Sequence, residues 1–110
     1  MGYLIECQDP RGLNVVLVAE VWRDKIVGSR PRMANGWLDR LERAIRRPSY
    51  GIYGSAHHPK RACYYLRIEG ENRYLKVVVD FRGSRGKVIS AFPCDSMSPG
   101  EKLIWPESKD

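Results

Sequence analysis

The chain has little of what would announce most common chemistries. It has three cysteines, Cys7, Cys63 and Cys94, with no CxxC pair among them. An odd count without paired spacing argues against a disulfide framework and fits a reducing compartment. There are only two histidines, His57 and His58, and they are adjacent. Together with Cys63 and Cys94 they show no zinc-ligand spacing, and no cluster of Asp and Glu lies near them. Neither a metal nor an organic cofactor is expected. P-loop and GxGxxG signatures are missing, and Gly83-Ser84-Arg85-Gly86 reads as a hairpin turn rather than a phosphate cradle. No apolar run approaches the ~20 residues of a membrane span. The opening MGYLIECQDP lacks a basic region followed by an apolar run, so no export signal is read. A cytoplasmic chain without a membrane partner is expected, unless it is a portion of a larger exported protein.

What is there describes a folded, basic domain. The chain has 110 residues, 43% of them apolar, and a net charge of +6. That supports one hydrophobic core, so residues 1–110 are expected to form a single domain, with the core at about 13–93 and a tail over 96–110. A basic balance favours polyanionic partners, because each neutralised phosphate releases counterions.

The pattern of periods divides the chain in two. Tyr3 to Cys7 reads as a short strand ended by the turn signal Asp9-Pro10-Arg11-Gly12. Leu13 to Val18 is apolar and β-branched, as a strand or a strand leading into a helix would be. Ala19 to Val27 reads as a first helix with Val18, Val21, Trp22 and Ile26 on one stripe. Asn35 is placed to cap a second helix, in which Trp37, Leu38, Leu41, Ala44 and Ile45 recur at helical spacing until Pro48. From Tyr50 the period becomes two. Strands are expected around Ile52-Tyr53, at Cys63–Glu69, at Tyr74–Phe81 and at Lys87–Phe92. Leu103, Ile104 and Trp105 can dock from the tail. The expected fold class is therefore α+β, with two N-terminal helices packed on one face of a four-stranded antiparallel sheet.

The polar residues on that sheet are mostly Arg, Lys, His, Tyr and Ser. Strand alternation puts Tyr64, Leu66 and Ile68 on a core face and Arg61, Cys63, Tyr65 and Arg67 on the other, with Lys76 of the next strand beside them. Such a face can grip a phosphate, or it can be a solvated basic surface with edge-protecting cations. Ser90, in the apolar run Val-Ile-Ser-Ala-Phe, can hydrogen-bond a phosphate oxygen or its own backbone. Metal-free RNA cleavage needs a base for the 2′-hydroxyl, an acid for the leaving oxygen and cations for the phosphorane. One of His57 and His58, just before Lys60 and Arg61, is a candidate for the proton transfer; a pair of exposed loop histidines is the other reading.

The order of these motifs resembles the barnase–EndoU–colicin–RelE-like (BECR) group of small ribonuclease toxins, particularly its phage and polymorphic-toxin branches. The resemblance is carried by Trp22 and Ile26, Arg30-Pro31, the second helix to Pro48, Arg61 with Tyr64-Tyr65, Tyr74 to Val79, and Val88 to Pro93. It covers roughly residues 13–93. It implies a BECR-like fold and a metal-independent endoribonuclease toxin that cuts tRNA or mRNA by 2′-hydroxyl transesterification. The product would end in a 2′,3′-cyclic phosphate, and a cognate antitoxin or immunity protein would hold the enzyme in check. Arg61 would bind the scissile phosphate, and Ser90 would stand at the group's closing-strand Ser/Thr. Arg30 stands where many relatives have a helix-end histidine. An arginine stays protonated and is a poor base. Either His57 or His58 takes over, or electrostatics and RNA positioning suffice, or catalysis has been lost. The expected catalytic set is His57, His58, Arg61, Tyr65 and Ser90, with Arg30, Lys60, Arg67 and Lys76 binding substrate. The alternative is a non-catalytic module that binds nucleic acid or protein on the same scaffold.

Overall fold

Alternating apolar residues make strands the largest regular part of this molecule. The computed structural model describes residues 2–34 and 36–106. Its strands are β1 (Ile5–Gln8), β2 (Asn14–Leu17), β3 (Ile52–Gly54), β4 (Arg61–Arg67), β5 (Tyr74–Phe81), β6 (Gly86–Cys94) and β7 (Lys102–Trp105). They form one seven-stranded sheet in the order β1-β2-β6-β5-β4-β3-β7. Every pairing is antiparallel except β2 with β6, which run parallel. The helical part is small: a π-helical segment at Val21–Val27, a 3₁₀ turn at Pro31–Ala34 and one α-helix, α1 (Trp37–Arg46).

This corrects the expected architecture of two helices on a four-stranded antiparallel sheet. The sheet is mixed and has seven strands, because β1, β2 and β7 join it. Each of these three is only four residues long. β1 and β2 form a local hairpin, but β2 joins the sheet through β6 and β7 through β3, remote pairings that local periodicity does not encode. The parallel contact of Val15 and Val16 with Gly86 and Lys87 bridges most of the chain. The first helix also differs from its expected form. Gly28 N–H bonds Arg23 C=O at 3.0 Å, five residues back, so the segment is wound wider than an α-helix. The winding differs from the 3.6-residue period, yet Val21, Trp22 and Ile26 still face the core, Ile26 fully buried and the other two packed partly buried against it. Among the described residues no helix is long and apolar enough to cross a membrane.

The second helix follows its sequence. Leu41, Ala44 and Ile45 are buried, Asp39 sits in the first turn, and Arg43 and Arg46 sit in the last, where each suits the helix dipole. Pro48 then prevents continuation. Asn35, expected as its cap, lies outside the described residues. Gly36 precedes the helix at φ +78°, a conformation that favours glycine.

α1 packs on β1, β4 and β5. The face it covers carries Ala62, Tyr64 and Leu66 of β4, paired across the ladder with Val79, Val77 and Leu75 of β5. A bulge decides the facing of the last strand. Val78 pairs with Ser90 but Val79 pairs with Val88, so Ile89 is an extra residue in β6. Val88 and Ala91, three apart, both enter the core. Ser90, which would share a face with Val88 in a regular strand, is moved to the opposite, outer face.

Candidate nucleic-acid interface

The outer face is ordered as cross-strand rows. Arg61 pairs with Asp80, and Asp80 with Lys87. The next row is Cys63, Val78 and Ser90; then come Tyr65, Lys76 and Phe92; then Arg67, Tyr74 and Cys94. Arg61, Ser90 and Lys76 therefore lie on three successive rows of the face turned away from α1. At about 3.4 Å per residue, the Arg61 and Lys76 rows are roughly 14 Å apart, with the Ser90 row between them.

The tail changes what this face offers. Residues 95–101 leave the end of β6 and cross to β7 at the far edge, passing over β5 and β4. This strap delivers Glu101 onto the Tyr65–Lys76 row. Tyr65 Oη donates to Glu101 Oε1 at 2.5 Å, and Lys76 Nζ donates to Glu101 Oε2 at 2.7 Å and to Ser98 Oγ at 2.9 Å. The Lys76 and Glu101 side chains are 9% and 5% exposed, and Tyr65 is fully buried. The ammonium lies 5.6 Å from the Tyr65 ring centroid and 5.8 Å from that of Phe92. Burial, then the bond to the Glu101 carboxylate, raises the Tyr65 phenol far above its usual range. Burial and the Glu101 charge push the Cys63 thiol up to about 11. Lys76 and Tyr65 are thus held in a closed polar cluster with an internal anion.

The sheet has one strongly cationic end. The β1–β2 turn, the β3–β4 loop and the β5–β6 turn all project there. They and the adjoining strand ends carry Arg11, Lys60, Arg61, Arg82, Arg85 and Lys87. The carboxylates among them are Asp9 and Asp80, and both are engaged. Asp80 accepts from Arg82 Nε at 3.0 Å and lies 3.4 Å from Arg61 Nε. Asp9, 4% exposed, accepts from the Arg11 and Leu13 backbone N–H groups, from the Arg11 guanidinium and from Tyr64 Oη at 2.7 Å. Burial, then the bond to the Asp9 carboxylate, raises the Tyr64 phenol strongly, against the opposing pull of Arg11. A cavity of about 450 Å³ at this end is lined by Arg11, Lys60, Arg61 and Ser84 over apolar Leu13, Phe81 and Ile104.

The expected site residues divide accordingly. His57, His58, Lys60 and Arg61 come together in and beside the β3–β4 loop, the histidines exposed and Arg61 half-buried. Ser90 lies one row inward, partly exposed. Tyr65 and Lys76 sit beneath the strap. Arg30 and Arg67 lie at the opposite end of the sheet, Arg30 with its guanidinium 5.7 Å from the Phe92 ring centroid. Among the described residues no three His, Cys, Asp or Glu side chains group as metal ligands. Sequence reasoning missed Glu101 and Ser98, which close the outer face, and Asp9 and Asp80, which organise the cationic end. The turn signal at Asp9 was visible; its 55-residue reach to Tyr64 was not. Comparison with known protein families, curated proteins and solved structures finds no match.

Proposed function

We propose that this protein is a metal-independent endoribonuclease toxin that takes the RNA backbone at the cationic end of its sheet. One observation carries the reading: both imidazoles share a single exposed loop with Lys60, directly before Arg61 at the start of β4, on an end whose two carboxylates are already engaged, Asp80 by Arg82 and Arg61 and Asp9 by Arg11 and backbone. An excess of cations there favours a phosphodiester. A guanidinium can hold two phosphate oxygens and stabilise a phosphorane, and an imidazole can accept the 2′-hydroxyl proton. Arg61 would hold the scissile phosphate, Lys60 the adjoining one, and His57 or His58 would move the proton. Ser90, one row away, would orient a phosphate oxygen. The substrate would be tRNA or mRNA in the cytoplasm, and a cognate antitoxin or immunity protein would cover this end between rounds of activity.

The test is incubation of purified protein with total tRNA in excess EDTA. The expected result is fragments ending in 2′,3′-cyclic phosphate, with Arg61→Ala slower by roughly a hundredfold. Absence of cleavage, or cleavage by Arg61→Ala at the wild-type rate, would overturn the reading.

A second reading is a non-catalytic nucleic-acid or protein-binding module. The closed Tyr65–Glu101–Lys76 cluster favours it, because two groups suited to phosphate contact are engaged internally. Salt-sensitive RNA binding without any cleaved product would select this reading.

A further inference from the structure

The end of the sheet remote from the histidines holds a cavity of about 510 Å³, to which the ribonuclease reading gives no role. The 3₁₀ turn, the start of α1, the β4–β5 turn and the end of β6 enclose it. Met33, Trp37, Ile68 and Pro93 supply an apolar lining. Arg30, Arg32 and Arg73 supply three guanidinium groups, against Glu71 as the one lining carboxylate. Among the described residues Arg30 and Arg32 pair with no carboxylate, and Arg73 gives only its Nε to the exposed Asp95, at 3.1 Å. A volume of this size suits one small ligand. An apolar wall beside converging guanidinium groups suits a ligand with a flat, weakly polar part joined to a dense negative charge. Arginine also stacks on aromatic rings, as Arg30 does on Phe92 and Arg40 on Trp37.

We infer that this cavity binds one nucleotide, its base against Met33, Trp37, Ile68 and Pro93 and its phosphate on Arg30, Arg32 and Arg73. The choice of a nucleotide over other aromatic anions rests on the RNA reading above. Arg30 joins the cavity to the outer face, because its guanidinium reaches the Phe92 ring of that face. The helix-end arginine then acts as a nucleotide contact rather than as a displaced base.

The experiment titrates the four ribonucleoside monophosphates, inorganic phosphate and uridine into the ¹⁵N-labelled protein, following amide shifts. The expected result is perturbation of the amides of Ser29, Arg30, Arg32, Met33, Ile68 and Arg73 by at least one nucleotide, which binds about tenfold more tightly than phosphate or uridine. Arg30→Ala with Arg32→Ala, both exposed positions, should weaken that nucleotide about tenfold while leaving the remaining amide spectrum unchanged. Equal binding of phosphate and nucleotide, no perturbation of these residues, or undiminished binding by the double variant overturns the inference. RNA cleavage is scored separately in the same preparations. Cleavage with a silent cavity refutes the cavity alone. A responding cavity without cleavage supports the nucleotide site and removes the ribonuclease reading.

Discussion

Replacing Glu101 by Gln tests the closed cluster on the outer face. The substitution keeps the side-chain shape but removes the negative charge facing Lys76 across 2.7 Å. Both side chains are nearly inaccessible, at 9% and 5%, so the ammonium left behind is poorly hydrated. Breaking a buried pair by removing one partner costs about 3–5 kcal/mol. The Gln amide still offers an acceptor to Lys76 or to Tyr65, which puts the expected loss near the lower figure, about 3 kcal/mol. For a chain of this length that lowers Tm by roughly 12 °C. The assay is urea unfolding followed by tryptophan fluorescence, with hydrogen exchange of residues 95–101 alongside. Replacing the whole group, with Lys76→Met, Glu101→Leu and Tyr65→Phe together, should cost less than Glu101→Gln alone, because no charge is stranded. A Glu101→Gln protein within about 0.5 kcal/mol of wild type would refute this reasoning. The strap would then be lying on the sheet without the ion pair holding it.

Two further outcomes are expected. Asp9→Asn should cost about 2–3 kcal/mol in urea unfolding, since it weakens bonds to Arg11, the Leu13 N–H and Tyr64 at one buried point. Tyr64→Phe, which leaves Asp9 its remaining donors, should cost less. Stability should also fall in alkali. Cys63 keeps its proton to about 11 in the folded chain against 9.0 for an ordinary thiol, so between these values the native state binds more protons than the unfolded one. Its contribution is complete below pH 9 and is lost as pH rises toward 11, at up to about 1.4 kcal/mol per unit. Urea midpoints at pH 8, 9, 10 and 10.5 should show this decline, and Cys63→Ala should make it shallower, the part that remains coming from the raised Cys7, Cys94, Tyr64 and Tyr65.

The sequence made the central sheet legible where strands are long and alternate. Tyr74–Phe81 has the expected bounds, and its core positions Leu75, Val77 and Val79 are buried as their parity indicates. The separation of Tyr64 and Leu66 from Arg61, Tyr65 and Arg67 also follows from period two. The four-stranded sheet was wrong because the β1–β2 hairpin and β7 are short and reach the sheet only through the remote pairings of β2 with β6 and of β7 with β3. Ser90 could not be assigned a face from alternation, because the bulge at Ile89 shifts its parity. The candidate site was legible as composition but not as accessibility. Lys76 and Tyr65 do lie side by side on the outer face. Only the tail's path, fixed by β7 pairing with β3, places Glu101 over them. A Pro- and Ser-rich segment gives no local sign of where it will lie.

The salt dependence of RNA affinity tests the central claim most directly. Wild type and Lys60→Ala/Arg61→Ala are compared on one single-stranded oligonucleotide across a range of ionic strength. If these two cations hold phosphates at the histidine-bearing end, the slope of log K against log salt should become shallower by about 1.4 in the double variant. Parallel lines of equal affinity would mean that RNA, if bound at all, is held elsewhere on the molecule, and would contradict the account.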